Sequence, residues 1–177
     1  MKNFKIVIIA FAVSIVGLSC SSDDDNNNNN YSNNVMSIAG ETFDIASAGL
    51  ENYGENADGS FDWDVYLFGD GITIDNSTPV GQGAYIYLDL NTNNADGLVA
   101  GTYTFAQDRA PFTWVYADAC TNFNISNFNC ASGSYYASTG TVVISGSGSS
   151  TSVEVNLQDS AGASITASYT GGFSVLD

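Results

Sequence analysis

The amino-acid sequence predicts an all-β protein, an antiparallel meander of about eight to ten strands that forms a sandwich or an up-and-down barrel. Two observations support this prediction. Segments rich in Val, Ile, Thr, Tyr and Phe recur along the chain, separated by clusters of Gly, Asn, Asp and Ser. Helix signals are nearly absent, since apolar residues do not recur at the spacing of three and four that marks an amphipathic helix.

The predicted strands follow one another from residue 35 to the last residues of the sequence. Their alternation is clearest in TSVEVNLQ, where Val153, Val155 and Leu157 share one face and polar residues share the other. The predicted strands are Val35–Ile38, Thr42–Ala46, Trp63–Phe68, Gly83–Leu90, Gly101–Phe105, Thr113–Tyr116, Gly140–Gly146, Ser152–Gln158 and Ser164–Tyr169, with a short last one in Phe173–Leu176. Residues 35–177 therefore make up the predicted all-β domain.

Residues 1–19 have the three parts of a signal peptide. Lys2 and Lys5 provide the positive start, and residues 6–16 form an apolar run of 11 residues. This run is shorter than the roughly 20 residues that a membrane-spanning helix needs. We therefore expect an export signal rather than a transmembrane segment.

Cys20 follows the signal peptide and begins a polar tether over residues 20–34. A bacterial lipobox has a small residue directly before the modified Cys, and Ser19 supplies it, although Gly17 stands where Leu is usual. We expect lipid on Cys20; the alternative is an ordinary signal peptide followed by a chance Cys. The tether SSDDDNNNNNYSNN has almost no apolar content, so it is expected to be disordered.

The acidic run directly after Cys20, from Ser21 to Asp25, resembles that of surface lipoproteins of the Bacteroidetes. In that group such a run acts as an export signal to the outer face of the outer membrane. The resemblance implies a protein anchored in the outer membrane by its lipid alone, facing the extracellular side. It is carried by about the first 30 residues of the sequence.

The segments GTVVI, VEVNLQDSAG and ITASYTG resemble the closing hairpins of many small members of the same group. This implies kinship of fold and no particular activity. Within them, the triplet from Asp159 to Ala161 resembles an O-glycosylation acceptor of Bacteroidetes exported proteins. It makes Ser160 a glycosylation candidate.

The charge of the chain is strongly unbalanced beyond the signal peptide. All 19 acidic side chains lie after Cys20, against Arg109 as the single basic one, which gives a formal charge of −18. Such a chain is repelled by nucleic acid and by anionic lipid surfaces. We expect no nucleic-acid partner, and the bland interpretation of this charge is the solvation of an extracellular surface.

Cys120 and Cys130 remain as a pair if Cys20 carries lipid. Nine residues lie between them, and an exported protein can form disulfides. A metal site is the rival interpretation, but the chain has no His and no second Cys pair to complete the ligands. We predict a disulfide, whose loop holds Phe123 and Phe128 either packed inward or presented as a binding tip.

Two predicted strands place aromatic side chains on one face. In DWDVYLF the residues Asp64, Tyr66 and Phe68 alternate with apolar ones, and GAYIYLDL does the same with Tyr85, Tyr87 and Asp89. If the strands are neighbours, these side chains form one aromatic face edged by two carboxylates. Rings of this kind stack on sugars and anchor protein partners. We predict a polysaccharide or surface-protein partner here; the alternative is a face that belongs to the core.

Few catalytic groups are left in the mature chain. It has no His and no Lys, and its two remaining Cys are expected to be bonded to each other. Asp62 and Asp64, two residues apart on one strand, are the remaining candidates for a carboxylate-based glycoside hydrolase. We predict a non-enzymatic module for glycan or protein, with that hydrolase or a purely structural surface protein as alternatives.

No cofactor is predicted, and Ca²⁺ is the only metal that the sequence suggests. The segments ENADGSFDWD and DLNTNNADG offer alternating oxygen ligands, but the second lacks the Gly and the closing Glu of an EF-hand loop. Such clusters are more often plain turns. The weak candidates are Asp58, Asp62, Asp89 and Asp96.

Overall fold

The computed structural model describes residues 34–177, which contain twelve β-strands and two short 3-10 turns. The predicted signal peptide, Cys20 and the acidic run lie outside the described residues. Among the residues described, no helix has the length and apolar character needed to cross a membrane. The strands are β1 (Val35–Ile38), β2 (Glu41–Glu55), β3 (Phe61–Gly69), β4 (Ile72–Asp75), β5 (Thr78–Thr92), β6 (Gly101–Phe105), β7 (Thr113–Asn124), β8 (Asn129–Cys130), β9 (Ser134–Ser145), β10 (Thr151–Asp159), β11 (Ser164–Gly171) and β12 (Ser174–Val175).

Nine of these strands close into a barrel in the order β5-β3-β2-β1-β11-β10-β9-β6-β7. Antiparallel pairing of β5 with β7, which places Ile86 opposite Ala119, completes the ring. The all-β prediction is confirmed, and of its two architectures the barrel is the one observed. The barrel is not a pure antiparallel meander, because β6 pairs with β7 in parallel and β12 pairs with β2 in parallel.

Strand β9 pairs with both β7 and β6, the two members of this parallel pair. Its first residues pair with β7, where Tyr136 lies opposite Asp118, and its later residues pair with β6, where Val142 lies opposite Tyr103. Gly140 lies between the two stretches with φ of +117°, and a Cβ there would collide with the carbonyl oxygen of Asn156. Only glycine fits this change of partner without strain.

The barrel interior is a packed core. Its largest fully buried side chains include Trp114 and Tyr103, and the Tyr103 hydroxyl donates a hydrogen bond of 2.8 Å to the Val99 carbonyl. The inward set predicted on β10, from Val153 to Leu157, lies in this core. Filling the interior in this way leaves the outer wall as the surface on which a ligand site can be built.

Several strands are longer than predicted, and β4 and β8 were not predicted. No strand was predicted between Phe68 and Gly83, a segment that contains Gly71 and Gly81. Instead, β4 and the first residues of β5 form a hairpin, and a Cβ at Gly81 would collide with the Gly71 carbonyl. These glycines allow two backbones to approach closely within a sheet.

Candidate functional site

The outer wall of the barrel brings the predicted aromatic residues together. Strands β3 and β5 are neighbours, with Tyr66 opposite Tyr87 and Phe68 opposite Tyr85. The residues that alternate with them, such as Leu67 and Ile86, lie in the core. The predicted face assignment is therefore confirmed.

The four aromatic side chains do not share one environment. Phe68 is 1% exposed and Tyr85 9%, because they form a second apolar cluster with Ile72 of β4 and Cys120 of β7. Tyr66 and Tyr87 are only half-buried beside this cluster. The predicted aromatic face thus forms a groove, whose raised walls are the β4–β5 hairpin and the loop that follows β7.

The groove has a volume of about 410 Å³. Seven of its lining residues are aromatic, three are acidic and none is basic. The volume falls within the usual range for small-ligand sites, roughly 300–1,000 Å³. The lining residues are Glu51, Tyr66, Phe68, Thr78, Pro79, Tyr85, Tyr87, Tyr116, Asp118, Phe123, Ile125, Phe128, Leu176 and Asp177.

A row of tyrosine rings crosses the groove from strand to strand. The ring centroids of Tyr66 and Tyr87 are 5.1 Å apart, and those of Tyr87 and Tyr116 are 5.8 Å apart. The row continues beyond the groove to Tyr136 on β9, at 6.2 Å from Tyr116. Neighbouring rings are tilted by 45° to 58° rather than coplanar, so the row offers several ring faces to a ligand.

The disulfide between Cys120 and Cys130 fixes one wall of the groove. The two residues are bonded, as predicted, with their Cα atoms 6.0 Å apart. The two Phe side chains of the loop have different roles. Phe123 packs on Tyr85 with ring centroids 4.5 Å apart, whereas Phe128 is 83% exposed at the rim. Of the two predicted alternatives, inward packing is observed for Phe123, and an exposed position at the loop tip is observed for Phe128.

Asp64 lies beneath the tyrosine row and is 5% exposed. It accepts a hydrogen bond of 2.8 Å from the Tyr87 hydroxyl and a longer one of 3.4 Å from Tyr66. Burial raises the pKa of Asp64 to about 7, against the hydrogen bond from Tyr87, which lowers it. The charges of Asp89 and Asp62 raise it further. The Asp64 carboxyl therefore holds a proton over much of the neutral range.

Arg109 closes the acidic end of this face. It reaches over from the loop between β6 and β7 and contacts Asp89 through two guanidinium nitrogens, at 2.8 and 2.9 Å. It also pairs with Asp62 at 2.8 Å. Burial and the neighbouring charge of Asp89 raise the pKa of Asp62, whereas Arg109 lowers it. Arg109, the only basic side chain among the described residues, is therefore already paired with two carboxylates of the same wall.

Three carboxylates of this face could hold a metal ion by distance alone. One oxygen each from Asp62, Asp64 and Asp89 lies within 4.8 Å of the others. Ca²⁺ binds oxygens at about 2.3–2.6 Å, so such oxygens fit around one ion. Arg109, however, already places its guanidinium against Asp62 and Asp89, so a metal ion would have to displace it.

The other two calcium candidates, Asp58 and Asp96, lie in hydrogen-bonded turns of the backbone. Asp58 accepts hydrogen bonds from the backbone N–H and the hydroxyl of Ser60, and Asp96 lies exposed in a turn where its N–H donates to Asn94. Neither belongs to the group of three carboxylates. The alternating Asx residues of these segments are therefore explained by turn formation.

Asp118 is one of the three acidic residues of the groove, with Glu51 and Asp177, that the sequence did not single out. It lies on β7 opposite Tyr87, and its Oδ2 accepts a hydrogen bond from the Tyr85 hydroxyl. Burial raises the pKa of Asp118, whereas that hydrogen bond lowers it. The strand was predicted to end at Tyr116, because Ala117 and Ala119 are its inward residues and make a weak apolar signal. The alternation in YADAC was the pattern that could have extended it.

The glycosylation candidate Ser160 is exposed in the turn between β10 and β11. Asp159 organises this turn, since its Oδ1 accepts hydrogen bonds from the N–H groups of Ala161 and Ala163 at 2.9 and 2.7 Å. The position is accessible, and its modification stays a prediction.

Comparison with known proteins adds no family to this description: no protein-family model, curated protein or solved structure matches the chain.

Proposed function

We propose that this chain is a non-enzymatic surface lipoprotein that binds glycans in the aromatic groove of its barrel. The observation that carries the proposal is the row formed by Tyr66, Tyr87 and Tyr116, which lies on the outer wall with carboxylates beside it. Pyranose rings present apolar C–H faces that pack on aromatic rings, and their hydroxyls donate hydrogen bonds to carboxylates. The groove offers both kinds of contact within one small volume.

The charge of the groove restricts the kind of glycan. Its acidic lining residues are Glu51, Asp118 and Asp177, and Arg109 is occupied by Asp62 and Asp89. An anionic polysaccharide would meet carboxylates without a cation to balance them. The proposed ligands are therefore neutral or cationic glycans.

The expected affinity is modest. Each stacked ring contributes about 0.5–1.5 kcal/mol beyond its buried area, and ordering of the ligand opposes this gain. Three rings then correspond to dissociation constants roughly between millimolar and micromolar. Many copies tethered on one surface would hold a polymer through many such contacts at once.

Carboxylate-based hydrolysis is the second candidate function, and the raised pKa of Asp64, about 7, is the observation that favours it. A carboxyl that keeps its proton near neutral pH suits a general acid. Two features favour binding instead. Asp64 is 5% exposed and covered by the hydroxyls of Tyr66 and Tyr87. Its predicted partner Asp62 lies beside it on the same strand and is paired with Arg109.

The proposed location follows from the sequence. A lipid on Cys20 and the acidic run after it would place the barrel outside the outer membrane, connected to the lipid by the polar tether of residues 20–34. The strongly acidic mature chain suits such a position, because like charges keep tethered domains apart on a crowded surface.

The test is calorimetry on a soluble form that starts at Ser21, with a panel of neutral oligosaccharides. Tyr116→Ala and Phe128→Ala should each weaken the binding roughly 3- to 10-fold, because each removes one ring from the groove. The matched control is Phe105→Ala, since Phe105 is 44% exposed and does not line the groove. The proposal fails if no glycan binds, or if both groove variants bind like the control. Release of reducing ends during incubation would favour the hydrolase.

A further inference from the structure

We infer that the groove prefers glycans with free amino groups, that is, amino sugars that carry a positive charge. This inference rests on the proposed glycan binding and names the class of sugar.

The carboxylates of the groove lack a cationic partner. Asp118 is partly buried, and Tyr85 is its one hydrogen-bond partner among the described residues, bonded through Oδ2, so that Oδ1 is available to a ligand. Glu51 accepts a long hydrogen bond of 3.4 Å from Tyr66. Both salt bridges in the described part of the chain belong to Arg109, and neither involves Asp118 or Glu51.

These carboxylates lie at opposite sides of the tyrosine row. The register places Asp118 on β7 beside Tyr87 and Glu51 on β2 beside Asp64, with the rings of Tyr66 and Tyr87 between the two edges. A cation is attracted to the face of an aromatic ring, and Tyr rings are effective partners. Ammonium groups bound along the row would meet ring faces below them, and those at its two ends would each also meet a carboxylate.

Arg109 shows that this wall accommodates a cation. Its guanidinium lies against Asp62 and Asp89, with Nη1–oxygen distances of 2.8 Å to each. Asp89 neighbours Tyr87 two residues along β5, so the occupied carboxylates and the unoccupied ones belong to one continuous face. The first pair already shares a cation that the chain itself supplies, whereas Glu51 and Asp118 have none and are left for a ligand.

The experiment compares three β-1,4-linked hexasaccharides that differ only at C2: cellohexaose, N-acetylglucosamine hexamer and glucosamine hexamer. Binding to the soluble form that starts at Ser21 is measured at pH 6, where much of the glucosamine is protonated. The glucosamine hexamer should bind at least tenfold more tightly than the other two. The preference should shrink as salt is raised, because screening weakens attraction between exposed charges.

Variants test which carboxylates cause the preference for the glucosamine hexamer. Asp118→Asn and Glu51→Gln should each reduce the advantage of the glucosamine hexamer over cellohexaose several-fold, because the amide keeps a hydrogen-bond acceptor but carries no negative charge. Asp44→Asn, an exposed carboxylate on β2 outside the groove, is the matched control and should change nothing.

The possible outcomes separate this inference from the proposed function. Equal binding of the three sugars, or a preference that survives in both groove variants, would overturn the inference and leave glycan binding intact. Failure of all three sugars and of the neutral panel to bind would overturn both.

Discussion

The hydroxyl of Tyr87, a ring of the groove, donates a hydrogen bond of 2.8 Å to Asp64, a buried carboxyl beneath it. A half-buried ring of the groove and a buried titrating group of the outer wall are thus in direct contact. The protonation state of Asp64 therefore affects both the stability of the barrel and the hydrogen bonding of Tyr87 in the groove. Both should depend on pH.

The barrel should be more stable at pH 5 than at pH 8. The pKa of Asp64 is raised from 3.8 to about 7, so the folded state holds this proton more tightly than the unfolded state. The stabilising contribution is complete below about pH 4 and is lost as the pH rises to about 7. Each unit of pKa corresponds to about 1.4 kcal/mol, which sets a ceiling of a few kcal/mol.

Urea unfolding followed by tryptophan fluorescence measures this dependence. Asp64→Asn imitates the protonated carboxyl and should flatten the curve between pH 5 and pH 8, mainly by raising stability at pH 8. Asp44→Asn, which removes an exposed carboxylate, is the control. An Asp64→Asn variant with the parent's pH dependence would show that another group titrates.

The ion pairs of Arg109 should contribute strongly to stability. Arg109→Ala leaves the carboxylates of Asp62 and Asp89 without their cation, which should lower the free energy of unfolding by about 2–4 kcal/mol at pH 8. The loss should be smaller at pH 5, where the raised pKa of Asp62 lets it take up a proton instead.

Arg109→Lys serves as the comparison. It keeps the charge but cannot make the paired contact with Asp89, so it should fall between the parent and Arg109→Ala. If Arg109→Ala unfolds like the parent at both pH values, these contacts contribute nothing to stability.

The bond between Cys120 and Cys130 should stabilise the barrel by about 2.5–3 kcal/mol, as expected for a loop of this length. Alkylation of the native protein should find no free thiol before reduction and two after it. The double variant Cys120→Ala, Cys130→Ser should unfold at lower urea and bind glycan less well, because Phe123 and Phe128 lie on the loop that it frees. Unchanged binding in this variant would remove the loop from the site.

Cys20→Ala should release the protein from membranes into the soluble fraction, because a lipid on this residue is the proposed anchor. Fractionation of cells that express the full sequence measures this. If the variant stays with the membrane like the parent, the anchor lies elsewhere.

Replacement of Asp23, Asp24 and Asp25 with Ala should keep the lipid but leave the protein facing the periplasm. Protease added to intact cells should then no longer reach it. Equal digestion of parent and variant would contradict an export role for the acidic run.

Much of the fold could be predicted because a two-residue alternation is a local signal. It identified β1 and β6 with their observed bounds, and it assigned the outward faces of β3 and β5. The barrel's closure could not be predicted, because it depends on which distant strands pair. The parallel contact between β6 and β7 leaves no local pattern in the sequence.

The site was predicted in part for the same reason. Tyr66 and Tyr87 were found from alternation alone, but one wall of the groove is formed by the β4–β5 hairpin, where β4 was not predicted. Asp118 was missed because small inward Ala residues hide the strand that carries it. Arg109 was known as the single cation of the mature chain, yet its place beside Asp62 and Asp89 follows from a loop that no local pattern describes.

Closure of the nine-stranded barrel also governs how copies of this protein can meet one another. A long strand with a free edge is a template for pairing with another chain. Here the two ends of the strand order are β4, with four residues, and β8, with two. Neither offers a long backbone edge, and the copies share a strong negative charge. Even at high local concentration, the copies should therefore remain separate folded units rather than form aggregates.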